Sequence, residues 1–190
     1  MTDCFALLGV PRRPWLDAGA LKERFHELGA EHHPDVAKTD AVDFAAINAA
    51  YNTLLDPKTR VKHLLELEFP EALKRNLQIP RDIAILFEVT ARDSRNVAAF
   101  RQRCASVKTR LEIAMLYPDR IALLGSLQLL QEILAEKRDE IFARLKSADA
   151  NWERDKAACV DPLLEIHQSL SYVGKWLAQV EEDLVRLKET

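Results

Sequence analysis

Eight prolines punctuate this chain of 190 residues, and their spacing limits what it can fold into. They leave proline-free runs at 15–33, 35–56, 58–69, 81–117, 119–161 and 163–190. An interior proline costs a helix about 3 kcal/mol, because it lacks an N–H and its ring clashes with the preceding turn. Each proline is therefore best placed at a helix boundary or first turn. Only five glycines occur, and strong helix formers (Ala, Leu, Glu, Lys, Arg) dominate. No run alternates apolar and polar residues as a half-buried strand would. The expectation is an all-α protein.

Apolar periodicity fills in the helices. A short one over 3–8 is closed by Gly9-Val10-Pro11, a Gly-then-Pro stop. Asp17 is placed to cap a helix over about 18–32, with Leu21, Phe25 and Leu28 on one face. Gly29 in that helix implies close packing on a neighbour. After the loop "HPDVAKTD", Asp40 is the next expected cap, and Phe44, Ile47, Tyr51 and Leu54 share a face over about 41–55. Asp56-Pro57 reads as cap and first position of a fourth helix containing Leu64, Leu65 and Leu67. Pro70 to Pro80 reads as a junction, so residues 71–79 are expected to separate a domain at 1–70 from a helical domain at 80–190. Within the second, a helix from Pro80 to about Thr90 is expected to be interrupted by "ARDSRN". Ser94 then caps a helix to about Leu116, and Tyr117-Pro118-Asp119 turns into a long helix ending near Lys146. The last stretch runs to about Lys188 with a restart or kink at Asp161-Pro162.

Composition excludes several function classes. A net charge of −3 gives no global sign of nucleic-acid binding. Cys4, Cys104 and Cys159 are odd in number, far apart and form no C-x-x-C, which reads as reduced thiols in a cytoplasmic protein. The first residues carry an acid at position 3 and no basic stretch ahead of a long apolar core, so no signal peptide is expected. The most apolar segment, "IALLGSLQLLQEILA", is interrupted by Ser126, Gln128, Gln131 and Glu132 and is not expected to span a membrane. There is no phosphate-cradling glycine loop and no G-x-S-x-G, so neither an enzyme nor a cofactor is expected.

One stretch, "AEHHPDVAKTD" at 30–40, carries chemistry that needs an explanation. His26, His32 and His33 stand near Glu27, Glu31 and Asp35, which resembles a metal-ligand set. Helical metal sites place histidines at i and i+4 so that both point one way. His26 and His32 are six residues apart, about 120° off a common direction, so no metal is expected. His33 and Asp35 as acid and base would flank a proline with no other polar constellation near in sequence. A contact surface fits better. Pro34 stops the helix abruptly after His33 and presents Asp35 at a rigid corner, suited to a charge-assisted bond with a partner's arginine.

Residues 3–68 resemble a J-domain, the module by which DnaJ-type cochaperones contact ATPase chaperones of the DnaK class. The resemblance rests on "FALLGV", "LKERFHELGAEHHPD" and "INAAYNTLLDPKTR". It implies an antiparallel hairpin with Phe25, Leu28, Ile47, Tyr51 and Leu54 between its helices. It also implies that His33, Pro34 and Asp35 stimulate ATP hydrolysis on the partner, with the basic face at Lys22, Arg24 and His26 as further chaperone contacts. "DCFALLGVP", "LDAGALKERFHEL", "RVKHLLEL", "PRDIAILFE" and "LSYVGKWLAQVEEDL" are similar to the HscB family of iron–sulfur cluster cochaperones. That similarity implies an HscA-type chaperone partner and a C-terminal domain that holds an IscU-type cluster scaffold. The client patch then falls on Leu86, Phe87 and Tyr172.

The sequence departs from the family in places. Residues 1–70 hold 8 Lys/Arg against 11 Asp/Glu, and Glu27 and Glu31 stand beside the basic residues of the second helix. Val36 follows the signature where a basic residue is frequent. Electrostatic steering toward an acidic chaperone should be correspondingly weak. Thr90, Arg92 and Asp93 replace residues that the family tends to keep apolar or acidic. The alternative is a general or divergent J-protein whose C-terminal bundle binds another client or dimerises.

Overall fold

The computed structural model describes residues 2–31, 44–75 and 78–189, and the described residues are helical without a strand. Among the described residues seven helices follow in order: α1 (Cys4–Leu8), α2 (Ala18–Glu31), α3 (Phe44–Leu55), α4 (Pro57–Glu68), α5 (Arg81–Ser106), α6 (Arg110–Trp152) and α7 (Lys156–Glu189). A short 3-10 turn, Pro70–Lys74, follows α4. The chain divides into two compact units: residues 1–77 with 142–168, and residues 78–141 with 169–190. This differs from the expected block at 80–190, since the end of α6 and the start of α7 pack with the N-terminal residues.

In the first unit, local signals set the helix ends. Asp3 accepts from the N–H groups of Phe5 and Ala6 to cap α1, and Gly9 closes it in the left-handed region at φ 64°. Asp17 accepts from Ala20 N–H at 2.8 Å, and Asp56 caps α4 ahead of Pro57. The expected cap Asp40 lies outside the described residues. α3 is the element on which α1, α2 and α4 pack. Leu28, Ile47 and Leu54 are buried there, and Phe25 stacks on Tyr51 with ring centroids 4.3 Å apart. A Cβ on Gly29 would meet the Phe44 ring at 3.5 Å, an ordinary van der Waals contact, so the packing there does not require the glycine.

Residues 142–168 complete this unit through polar contacts around two tryptophans. Asp149 accepts from Arg13 Nε (3.1 Å) and Nη2 (2.6 Å) and from Trp15 N–H (3.0 Å). Trp152 is fully buried, donates from Nε1 to the Arg12 carbonyl at 2.8 Å and meets Phe69 edge-on. Buried Arg60 donates to the carbonyls of Pro14 and Leu54, and burial lowers its pKa to about 10. His63, also buried, accepts from Cys4 N–H at 3.0 Å and fixes α1 on α4.

The second unit is a bundle of α5, the first part of α6 and the last part of α7. Ile83, Thr90, Asp93, Val97 and Phe100 line the buried face of α5. Leu127, Leu130 and Leu134 do so on α6, and Val173, Trp176, Val180, Leu184 and Leu187 on α7. Three expected breaks are absent. α5 runs unbroken through "ARDSRN", because Thr90 and Asp93 turn inward and are satisfied there. Thr90 Oγ1 donates to the Leu86 carbonyl, and Ser126 Oγ donates to Asp93 at 2.9 Å. The break falls instead at 107–109, where Thr109 and Glu112 form a reciprocal capping box for α6. α6 continues through Pro118, which is exposed, so water can take the carbonyl its missing N–H frees. It also continues past Lys146 to Trp152, whose ring is part of the core. α7 likewise passes Pro162 without a restart.

Among the described residues, α6 is the one helix long and apolar enough to cross a membrane. It is nonetheless tied into the bundle, with Asp119 paired to Arg103 and Arg120 donating to the Lys188 carbonyl.

Candidate chaperone-contact and client-contact sites

His33, Pro34 and Asp35 lie outside the described residues, as does the side chain of Glu31. Of the other chaperone-contact residues, Lys22 and His26 sit on α2 at i and i+4 and are exposed on a common side. Arg24 points away from them, two residues along a helix being about 200°. Its Nε donates to the Leu8 carbonyl at 3.1 Å and its Nη1 to Glu27 at 3.0 Å. Its guanidinium also lies over Gly9, where a Cβ would approach Nη2 to 3.3 Å. Arg24 thus ties the end of α1 to α2, while Lys22 and His26 are exposed together on the other side of the helix.

The client-contact residues lie in the second unit, and two of them converge. Phe87 on α5 is 58% exposed, and its ring lies 6.2 Å from Trp176 on α7. Tyr172, one helical turn before Trp176, stacks on the same indole at 5.6 Å. Trp176 is itself buried, so it forms the floor on which the Phe87 and Tyr172 rings rest. Leu86, the third expected member, is half-buried beside Phe87. Trp176 was not among the expected site residues, although its i+4 spacing from Tyr172 is a readable signal. Thr90 and Asp93, two of the departures from the family pattern, face inward and do not belong to this surface. Arg92 is exposed and donates from Nε to Asp93 at 3.1 Å.

Among the described residues no three histidine, cysteine or carboxylate side chains come together as a metal site. The three cysteines are free thiols, and burial raises the pKa of Cys159 and Cys4.

A helical hairpin with short flanking helices is the architecture of a J-domain, and residues 3–63 match the DnaJ domain family. That match covers about a third of the chain and speaks for that module. The chain is also similar to HscB co-chaperones. Over 94 residues, 45% of this chain and 54% of the relative, it is 36% identical to the co-chaperone protein HscB of Proteus mirabilis (strain HI4320). The chain thus spans about half the length of that curated relative. Its fold is similar to chaperone HscB from Vibrio cholerae, with a TM-score of 0.62 and 20% identity over 98% of this chain and 99% of that one. Human co-chaperone HscB follows at 0.56 and 19%, covering 95% and 81%. At those identities the likeness speaks for the fold.

Proposed function

We propose that this chain is a J-protein cochaperone that triggers ATP hydrolysis on a DnaK/HscA-type chaperone and delivers a client to it, the iron–sulfur cluster scaffold of the IscU type. The trigger is His33-Pro34-Asp35, assisted by Lys22 and His26. Phe87 and Tyr172, seated on Trp176 with Leu86 at their side, hold the client. The chain itself needs no catalytic group or cofactor, because the bond that breaks is in the chaperone's nucleotide. The reading is of a cytoplasmic protein.

One observation carries the reading. A single chain holds both the J-domain signature and an HscB-like helical fold in which Phe87 and Tyr172, two of the three residues expected at the client patch, meet on one indole. An exposed aromatic resting on a buried one is a preorganised anchor, with little side-chain freedom left to lose on binding. The test is capture of an IscU-type scaffold by the full chain, compared with the Leu86→Ala/Phe87→Ala double variant. Capture that is lost in a folded double variant supports the assignment. No capture by the wild-type chain removes the scaffold as client and leaves the J-domain reading standing.

A further inference from the structure

The most exposed apolar surface lies away from the aromatic patch, on the first half of α6. Leu111 is 72% exposed, Met115 71%, Tyr117 61%, Ile113 55% and Ile121 50%. The charges of this stretch do not relieve it. Between 111 and 131 the only charged residues are Glu112, Asp119 and Arg120. Glu112 accepts the N–H groups of Lys108 (3.0 Å) and Thr109 (2.9 Å) at the helix start. Asp119 pairs with Arg103 of α5, and Arg120 donates to the Lys188 carbonyl of α7 at 2.8 Å. Glu112 is occupied at the start of its own helix, and Asp119 and Arg120 are tied to α5 and α7. The outward side is left uncharged for more than five helical turns.

Down the middle of that side run small residues, Ala114, Pro118, Ala122 and Gly125, at spacings of four and three. A Cβ on Gly125 would meet no atom within 4 Å, so this line is open to an approaching helix. The charges that bound the strip are Arg110 at one end and Glu132 at the other, and helical geometry puts both on the outward side. Both are exposed.

We propose that this strip is a homodimer interface in which α6 packs antiparallel on α6 of a second copy. A two-fold axis crossing α6 at Ile121 sets Arg110 of each copy against Glu132 of the other, since each lies eleven residues from it. A strip with a cation at one end and an anion at the other is self-complementary only in that antiparallel arrangement. The area is also of the right order. Leu111, Tyr117 and Ile121 present roughly 100 Å² each, and Ile113 and Met115 flank them on opposite edges, toward the ~800 Å² that each partner buries in a standard interface. The small residues between them, with Leu129 and Ile133 further along, supply the rest. The ties of Asp119 and Arg120 to α5 and α7 hold α6 in the bundle and oppose its leaving to span a bilayer.

The experiment is sedimentation velocity of the full chain from low to high micromolar concentration, with circular dichroism confirming that each variant is folded. The wild-type chain dimerises reversibly. Ile121→Glu raises the dissociation constant about tenfold or more. Arg110→Glu weakens the dimer, and adding Glu132→Arg to it restores the wild-type affinity. A wild-type chain monomeric throughout overturns the proposal, as does a dimer that Ile121→Glu leaves intact. A double swap no better than the single one also overturns it, because the antiparallel register is then wrong. Co-sedimentation of a monomeric chain with phosphatidylcholine vesicles, abolished by Ile121→Glu, would assign the strip to lipid and overturn it as well.

Discussion

Replacing Asp149 by alanine tests how firmly residues 142–168 are built into the J-domain unit. The carboxylate accepts three hydrogen bonds, two from the Arg13 guanidinium and one from Trp15 N–H, and its side chain is only 11% exposed. The bond from Trp15 N–H to a charged acceptor contributes about 1.5 kcal/mol. The Arg13 fork would be stronger if buried, but that side chain is 38% exposed, so solvent screening reduces it to about 1 kcal/mol. Asp149→Ala should therefore cost about 2–3 kcal/mol, a fall in melting temperature of about 5–10 °C at this chain length. Arg13→Ala should cost only about 1 kcal/mol, with a coupling near 1 kcal/mol in the double-mutant cycle. Urea denaturation of the four proteins measures all of this. Asp149→Ala within about 0.5 kcal/mol of wild type would refute the reasoning. Arg13→Ala as damaging as Asp149→Ala would show that the Trp15 bond contributes nothing.

Two further predictions concern stability. Gly174 lies within α7, and a Cβ there would meet no atom within 4 Å, so Gly174→Ala should stabilise the chain by about 1 kcal/mol, a rise of about 2–4 °C by calorimetry. Burial holds the imidazole of His167 below its usual pKa of 6.5, outweighing the hydrogen bond at the Lys58 carbonyl. A group depressed in the folded state binds its proton more readily when unfolded, so stability should fall as pH drops below 6.5 and be flat above it for this residue. His167→Gln should remove that part of the pH profile, and an unchanged profile would mean that another group sets it.

Much of the fold was legible because its signals are local. Asp17 and Asp56 cap the helices they were expected to cap, and Leu28, Ile47 and Leu54 are buried as their spacing implies. The breaks expected in the second half failed for tertiary reasons. Thr90 and Asp93 look like loop residues until Ser126 and the Leu86 carbonyl are seen to satisfy them. Pro118 looks like a stop until its exposed position shows that the freed carbonyl can be hydrated. The true break was written in the sequence as the capping box Thr109-x-x-Glu112 and was overshadowed by the proline nine residues on. At the candidate sites, Phe87 and Tyr172 came from resemblance alone, and their common floor, Trp176, required the bundle to be assembled. That Arg24 is occupied at Leu8 and Glu27 could not be read from a basic residue on a polar helix face. The packing of 142–168 with the N-terminal residues depends on Trp15 meeting Asp149 and Arg12 meeting Trp152 across more than 130 positions, which no local pattern encodes.

The central claim is that His33-Pro34-Asp35 is a working trigger, and single-turnover ATP hydrolysis tests it most directly. The assay sets the organism's DnaK/HscA-type chaperones with nucleotide alone, with the wild-type chain, and with Asp35→Asn. The wild-type chain should stimulate at least one chaperone, and Asp35→Asn, as stable as wild type, should lose that stimulation. Stimulation that survives Asp35→Asn, or no stimulation of any chaperone, would contradict it.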